Sequence, residues 1–479
     1  NRLRSIEHPD GTMAFYDYAP GADGRQTNTL SIGQPNAQKT AILDGTRTVT
    51  VRGPLGELLL KEIHDVDPTH PNGILTARES YSYTDSLNRS HVVTYLDGSS
   101  NTVQYACCGL ELAVDRDGVA TEYLYDALNR PTGTRRLNLT TTNLLDAAGR
   151  VLQTRRIGAN GTQILLHQAA YDLAGNLLRQ TNALNGLTTY AETFHPAGQR
   201  LRTITYPDNG TRIETYFRDG TLASLTGSAV QPVRYEYGFE DNYASPDYGS
   251  TWTREIRLQP DGTDSAEWTQ TFRDALGRPY KTLYPDGAFR LTSFNAAGQP
   301  WKEVDPDGVT TLHTYNARGQ REYTILALNS STRDITNYAD LTSQLETLKA
   351  GADRITQTLS DVAQAHGIYV HRNRTFVWTQ ANNSTPALLS LSETSTNGLR
   401  SWHTTFPDGV TGLTNRTEST LGASRSTTTI APDNSYTITA YAQGRLVSVT
   451  RYDSQGTQLG KTTYSYDPHG RQSTVTDAR

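Results

Sequence analysis

The chain has 479 residues, 35% of them hydrophobic and 9% aromatic, with 39 glycines, 27 tyrosines and a formal charge of −5. A chain this rich in Tyr and Gly and this lean in aliphatic side chains is not a disordered polymer, and the balance suits β-sheet. Charges of both signs are interspersed and no apolar run approaches the roughly 20 residues of a membrane-spanning helix, which excludes a helical span and a basic nucleic-acid footprint.

The chain opens Asn1-Arg2-Leu3-Arg4, in what reads as mid-strand, so the N-terminus is expected to be a cut in a longer polypeptide. Residues 1–70 read as an irregular N-terminal repeat portion. Turn signals stand at Pro9-Asp10-Gly11, Asp23-Gly24, Asp44-Gly45 and Pro54 without even spacing. The run His64-Asp65-Val66-Asp67-Pro68-Thr69-His70 puts four ligand types within seven residues, a spacing that can hold a divalent metal. A polar loop accounts for the same residues, and no metal is assigned to them.

Residues 71–325 read as a regular array. Between 272 and 320 the glycines fall at 277, 287, 298, 308 and 319, so the period is 10 or 11 residues. Two turns alternate: aromatic-x-x-x-Gly-(Arg/Gln), as in Tyr315-Asn316-Ala317-Arg318-Gly319-Gln320, and Pro-Asp-Gly, as at 285–287 and 306–308. Pro presets φ, Asp bonds its own downstream backbone, and Gly takes the positive-φ position, so Gly287 and Gly308 are expected there. The intervening segments alternate side to side, and the period predicts a continuous antiparallel meander. Aromatic-type turns recur at Tyr83-Thr84-Asp85, Tyr125-Asp126, Tyr171-Asp172 and Phe194-His195, and Leu145-Asp146-Ala147-Ala148-Gly149-Arg150 keeps the turn without the ring. The adjacent Cys107-Cys108 are too few for a disulfide framework or a four-ligand zinc site; free thiols are expected, with a vicinal disulfide the alternative.

Residues 326–366 break the pattern. Apolar spacing predicts a short helix over 338–349, between a start signal at Asp334 and a stop at Gly351. Residues 355–362 are read as a strand, followed by a turn at His366-Gly367 and an alternating segment over 369–378. His366 and His371 flank that turn, and no ligand role is assigned to them. The array resumes over 367–479 and is expected to continue beyond Arg479, with repeats at Tyr441 with Gly444-Arg445 and at Tyr466-Asp467 with Gly470-Arg471.

Tyr-Asp-x-x-Gly-Arg with an intervening Pro-Asp-Gly resembles the YD repeat of Rhs proteins, teneurins and the shell subunits of insecticidal ABC toxin complexes, over about 80% of the chain. The resemblance implies an all-β fold, a long antiparallel meander winding into a hollow β-shell, often around a secreted toxic C-terminal domain. In that family the autoproteolytic module carries acids in an Asp-Pro-x-Gly context. Asp467-Pro468-His469-Gly470 is similar, but Tyr466 and Arg471 make it an ordinary repeat, and no catalytic role is carried to Asp467. The strand after Gly308 supports hollowness on its own: neither Val309, Thr311, His313 and Tyr315 nor Thr310, Leu312 and Thr314 form the continuous apolar face a sandwich needs.

No Gly-x-Ser-x-Gly elbow, His-Glu-x-x-His helix or phosphate-binding loop is present. Acid pairs such as Asp115/Asp117 and Asp305/Asp307 sit at turns, where Asp is a structural choice. Catalytic, cofactor-binding and metal residues are therefore all assigned as none, no cofactor is expected, and the chain is read as not an enzyme. The expected role is a structural wall segment of a secreted or cell-surface bacterial shell that encloses or presents cargo such as a C-terminal toxin. The alternatives are a carbohydrate- or partner-binding module using Trp252, Trp268, Trp301, Trp378 and Trp402, or a glycan-active enzyme. Expected partners are the rest of the same polypeptide, the cargo, a carbohydrate or cell-surface partner, and another copy through open strand edges.

Overall fold

The computed structural model describes residues 2–107, 109–196, 198–378 and 385–478. Thr-, Tyr- and Val-rich segments form 37 β-strands, and each pairs antiparallel with its neighbours in sequence, from Ser5–Glu7 to Gln472–Ala478. The result is a single continuous ribbon. Its turns close as their residues require. Gly287 (φ 84°) and Gly308 (φ 80°) occupy the left-handed region, and the Asp305 and Asn295 side chains cap the backbone N–H groups of Val309 and Gln299.

In a meander, turns after even-numbered strands lie on one edge of the ribbon and turns after odd-numbered strands on the other. The aromatic-type turns at 126–130, 146–150, 172–176, 274–278, 316–320 and 467–471 all fall on one edge, here the YD rim. The Pro-Asp-Gly turns at 9–11, 260–262, 285–287 and 306–308 fall on the opposite edge, the counter rim. The alternation in sequence is thus a segregation in space.

The irregular spacing before residue 70 comes from strand length. Gln26–Pro35, Ile42–Arg52 and Leu58–Asp67 run 10 to 11 residues, against 5 or 6 in Pro279–Leu283 and Thr310–Tyr315.

The accessible surface is 27797 Å². A compact monomer of 52.8 kDa should expose only about 17,700 Å². The excess is what a single-layer sheet with two wet faces exposes, and most strand residues are accordingly half-buried.

One dry patch interrupts this. Helix α1 (Ser330–Arg333) and helix α2 (Tyr338–Lys349) lie over the strands around them. Leu341 and Leu348 pack with Trp301, Leu312, Tyr323, Ile325, Ile335, Ile355 and Trp378. The sequence places α2 with its observed bounds but misassigns its start signal, because Asp334 caps the end of α1 and Asn337 is the residue whose side chain accepts from Asp340 N–H at 2.8 Å. Buried Asp353 ties the insertion down, accepting from Leu328 N, Asn329 N and Thr332 Oγ1 at 2.7, 2.9 and 2.6 Å. The strand Thr310–Tyr315, read from its alternation as a two-faced wet strand, lies in this patch and is among the driest in the chain, with Thr310, Leu312, His313 and Thr314 all buried. The helix supplies the cover that the strand's own pattern could not reveal.

Candidate functional site

The YD motif is a side-chain zipper along one rim. In Tyr125-Asp126-Ala127-Leu128-Asn129-Arg130, the Asp126 carboxylate accepts the Leu128 and Arg130 N–H groups at 2.9 Å each, and Arg130 Nε donates to its other oxygen at 2.7 Å. The Tyr125 hydroxyl reaches back to Leu110 O at 2.8 Å. The same Arg then reaches forward: Arg130 Nη1 donates to Asp146 O of the next YD turn at 2.6 Å, and Arg150 does so to Asp172 O at 3.5 Å. Arg150 also lies 4.8 Å from the Tyr171 ring centroid, Arg278 4.2 Å from Phe294 and Arg445 5.4 Å from Tyr466. Each residue type of the motif is therefore spent on a contact: Tyr to the previous strand, Asp to its own turn, Arg to the next turn. Backbone N–H donors and the guanidinium hold Asp126, Asp146 and Asp467 below the usual carboxylate range.

The ribbon closes on itself. Buried Asp44, 1% exposed, accepts Tyr369 N–H at 2.9 Å and Thr396 Oγ1 at 2.6 Å. Asn397 Nδ2 donates to Asp65 at 2.6 Å, His371 Nδ1 lies 3.4 Å from Asp10, Arg445 pairs with Asp117 at 2.5 Å, and Arg136 donates to Pro468 O at 3.3 Å. These partners are 325 to 361 residues apart, the largest separation being 371 − 10 = 361. Counted in strands the offset is nearly constant, 25 for Asp44 and Tyr369 and 27 for Asp10 and His371. Asp44 is in the fourth strand and Tyr369 in the twenty-ninth; Asp117 precedes the tenth and Arg445 opens the thirty-fifth. One lap is thus 25 strands, or about 120 Å of ribbon at ~4.8 Å per strand. Every contact named joins the counter rim of the first lap to the YD rim of the second.

Residues singled out in the sequence are scattered by this geometry. His64 faces Glu62 at 3.3 Å, Asp65 faces the seam, and Asp67 accepts from Thr69 N, Thr69 Oγ1 and His70 N within its own turn. No group of three or more His, Cys, Asp or Glu side chains converges as a metal site among the described residues. Burial pushes the Asp65 carboxyl up, with Asp67 and Asp44 adding repulsion against the Asn397 hydrogen bond. For Asp67 the hydrogen bonds from Thr69 and His70 outweigh burial and lower it to about 2. His366 and His371 do not share a partner: His366 meets Glu393 at 2.8 Å and stacks on Trp402 at 4.0 Å, whereas His371 faces Asp10. Trp301, Trp378 and Trp402 are buried, and half-buried Trp252 and Trp268 both lie against the Arg254 guanidinium, at 5.7 and 4.7 Å. Cys107 is disulfide-bonded, which corrects the expectation of a free thiol there, and Cys108 lies outside the described residues. In the sequence Asp44 and Asp117 read only as turn residues and Tyr369 as part of a strand, and nothing in the local pattern of these or of Thr396 and Asn397 marks a seam.

Residues 441–479, which hold the motifs at Tyr441 and Tyr466, match the family model described as RHS Repeat. Those residues carry an RHS repeat. No curated protein matches the sequence. Among solved structures the RHS-repeat chain is similar to TcdB2-TccC3-Cdc42, at 10% identity, TM-score 0.27, and 97% coverage of this chain and 34% of that one. It is also similar to TcdB2-TccC3 without its hypervariable C-terminal region, at 10% identity, TM-score 0.26, and 98% and 35% coverage. A third is the Photorhabdus luminescens Tc holotoxin pore carrying a TccC3 mutation, at 11% identity, TM-score 0.23, and 99% and 30% coverage. The RHS-repeat chain spans about a third of the length of each of these.

Proposed function

We propose that this RHS-repeat chain is a wall: a coiled single-layer ribbon that encloses or presents another part of a larger secreted or cell-surface assembly, such as a toxin domain. The observation that carries the reading is the cross-lap seam, because a ribbon that merely presented a flat face would have no reason to bond to itself 25 strands later. The surface excess over a compact fold supports it. So does the chemistry of its acids, since turn aspartates such as Asp126 are taken up in caps and buried Asp44 in the seam. The strands at 5–7 and 472–478 are each paired on one side only among the described residues.

The test is protease protection of the complete natural polypeptide. Sequence carried within the shell survives digestion in the native protein and becomes cleavable when the seam is broken by Asp117→Arg. Cleavage of that sequence at equal rates with the seam intact and broken would refute enclosure.

A further inference from the structure

The seam shows how a YD rim docks on a counter rim, and both rims also have free stretches. Second-lap YD turns between 366 and 470 bond to counter-rim positions between 10 and 136. Among the described residues, counter-rim turns from 158 to 308 carry none of those contacts, and neither do the first-lap YD turns. The two free stretches are complementary in chemistry. On the first-lap YD rim, leucines stand at the turn tips: Leu87 is 65% exposed, Leu128 69% and Leu276 77%, with Leu173 fully exposed. On the free counter rim, Ala266, Tyr284, Pro285, Ala288 and Pro306 line an open, mostly apolar groove of about 480 Å³ between adjacent turns. The seam already contains the corresponding pair. Leu421, at a YD-rim tip of the second lap, and Ile74, near the counter rim of the first, line one cavity of about 230 Å³.

We propose that the free YD rim of one molecule docks on the free counter rim of a second copy, in the head-to-tail sense in which the two laps of one chain meet. The contact joins unlike surfaces, so the dimer retains one unused rim of each kind after a single contact, and association proceeds beyond it. This differs from pairing of open strand edges, which would consume the strands at 5–7 or 472–478 and leave the turn tips exposed.

Sedimentation velocity of the 479-residue chain tests the proposal with two variants. Leu128→Asp/Leu173→Asp places charge on the YD tips, and Ala266→Arg/Ala288→Arg fills the groove; circular dichroism checks that each stays folded. The wild type should form dimers and larger species as concentration rises, and each variant alone should weaken association at least tenfold. An equimolar mixture of the two should form a one-to-one dimer and nothing larger, because one variant keeps only a working counter rim and the other only a working YD rim. A wild type that stays monomeric, association unchanged in either variant, or a mixture no more associated than its parts would overturn the proposal.

Discussion

Replacing Asp44 by Ala should loosen the seam at one identifiable amide. The carboxylate is almost fully buried and accepts two hydrogen bonds from the other lap, Tyr369 N–H at 2.9 Å and Thr396 Oγ1 at 2.6 Å. A hydrogen bond to a charged group contributes about 1.5–3 kcal/mol, and a buried donor left without an acceptor costs a similar amount. The cavity beside Asp44, lined by Asp65, Asn397 and Arg400, gives water a route to the orphaned donors, so the lower half of that range applies to each. At about 1.4 kcal/mol per factor of ten, the Tyr369 amide should exchange about tenfold to fortyfold faster in native-state hydrogen exchange. Amides of the core strand Arg321–Ala327 should be unchanged, since no contact named here links them to Asp44. Unaltered exchange at Tyr369 with the fold intact would refute the seam as drawn.

Arg150→Met keeps the stem and removes the charge, so it loses the donors to Asp146 and Asp172 and the contact over Tyr171; with the pair partly exposed, urea unfolding should report a loss of about 1 kcal/mol. Leu341→Ala empties a fully buried site under α2 and should cost about 2–5 kcal/mol by the same assay, a loss below about 1 kcal/mol arguing that the helix is not docked. The turn aspartates Asp126, Asp146, Asp274 and Asp467 are held below their ordinary range in the folded chain, so their contribution is complete above about pH 4 and disappears as pH falls through the lowered values. β-signal in circular dichroism should therefore decline on acidification below that point, and a constant signal down to pH 2 would contradict the capping role.

The sequence discloses what is local. Turn residues carry their own geometry, which is why Gly287 and Gly308 have the expected φ, and the apolar spacing over 338–349 is a helix by its period. The motif's division of labour among Tyr, Asp and Arg is legible only in part: Asp capping its own turn follows from spacing, whereas Arg reaching the next YD turn requires knowing which turns share a rim. The seam is not legible at all. It depends on twist and curvature summed over 25 strands, and Asp44 or Asn397 resembles any other polar turn residue. The strand at 310–315 misleads for the same reason, since its cover comes from a helix some thirty residues further along the chain.

Pulsed dipolar spectroscopy between spin labels on Leu137→Cys and His469→Cys measures the closure itself and leaves the seam partners in place. Their chain neighbours Arg136 and Pro468 meet at 3.3 Å in the coiled ribbon, so labels there should lie within about 25 Å of each other, the reach of two label arms. In a ribbon that did not coil, 25 intervening strands would separate them by about 120 Å, beyond the range of the method. A short, narrow distance within one chain, preserved on dilution with unlabelled protein, is the predicted result; the absence of any dipolar coupling would contradict the coiled wall.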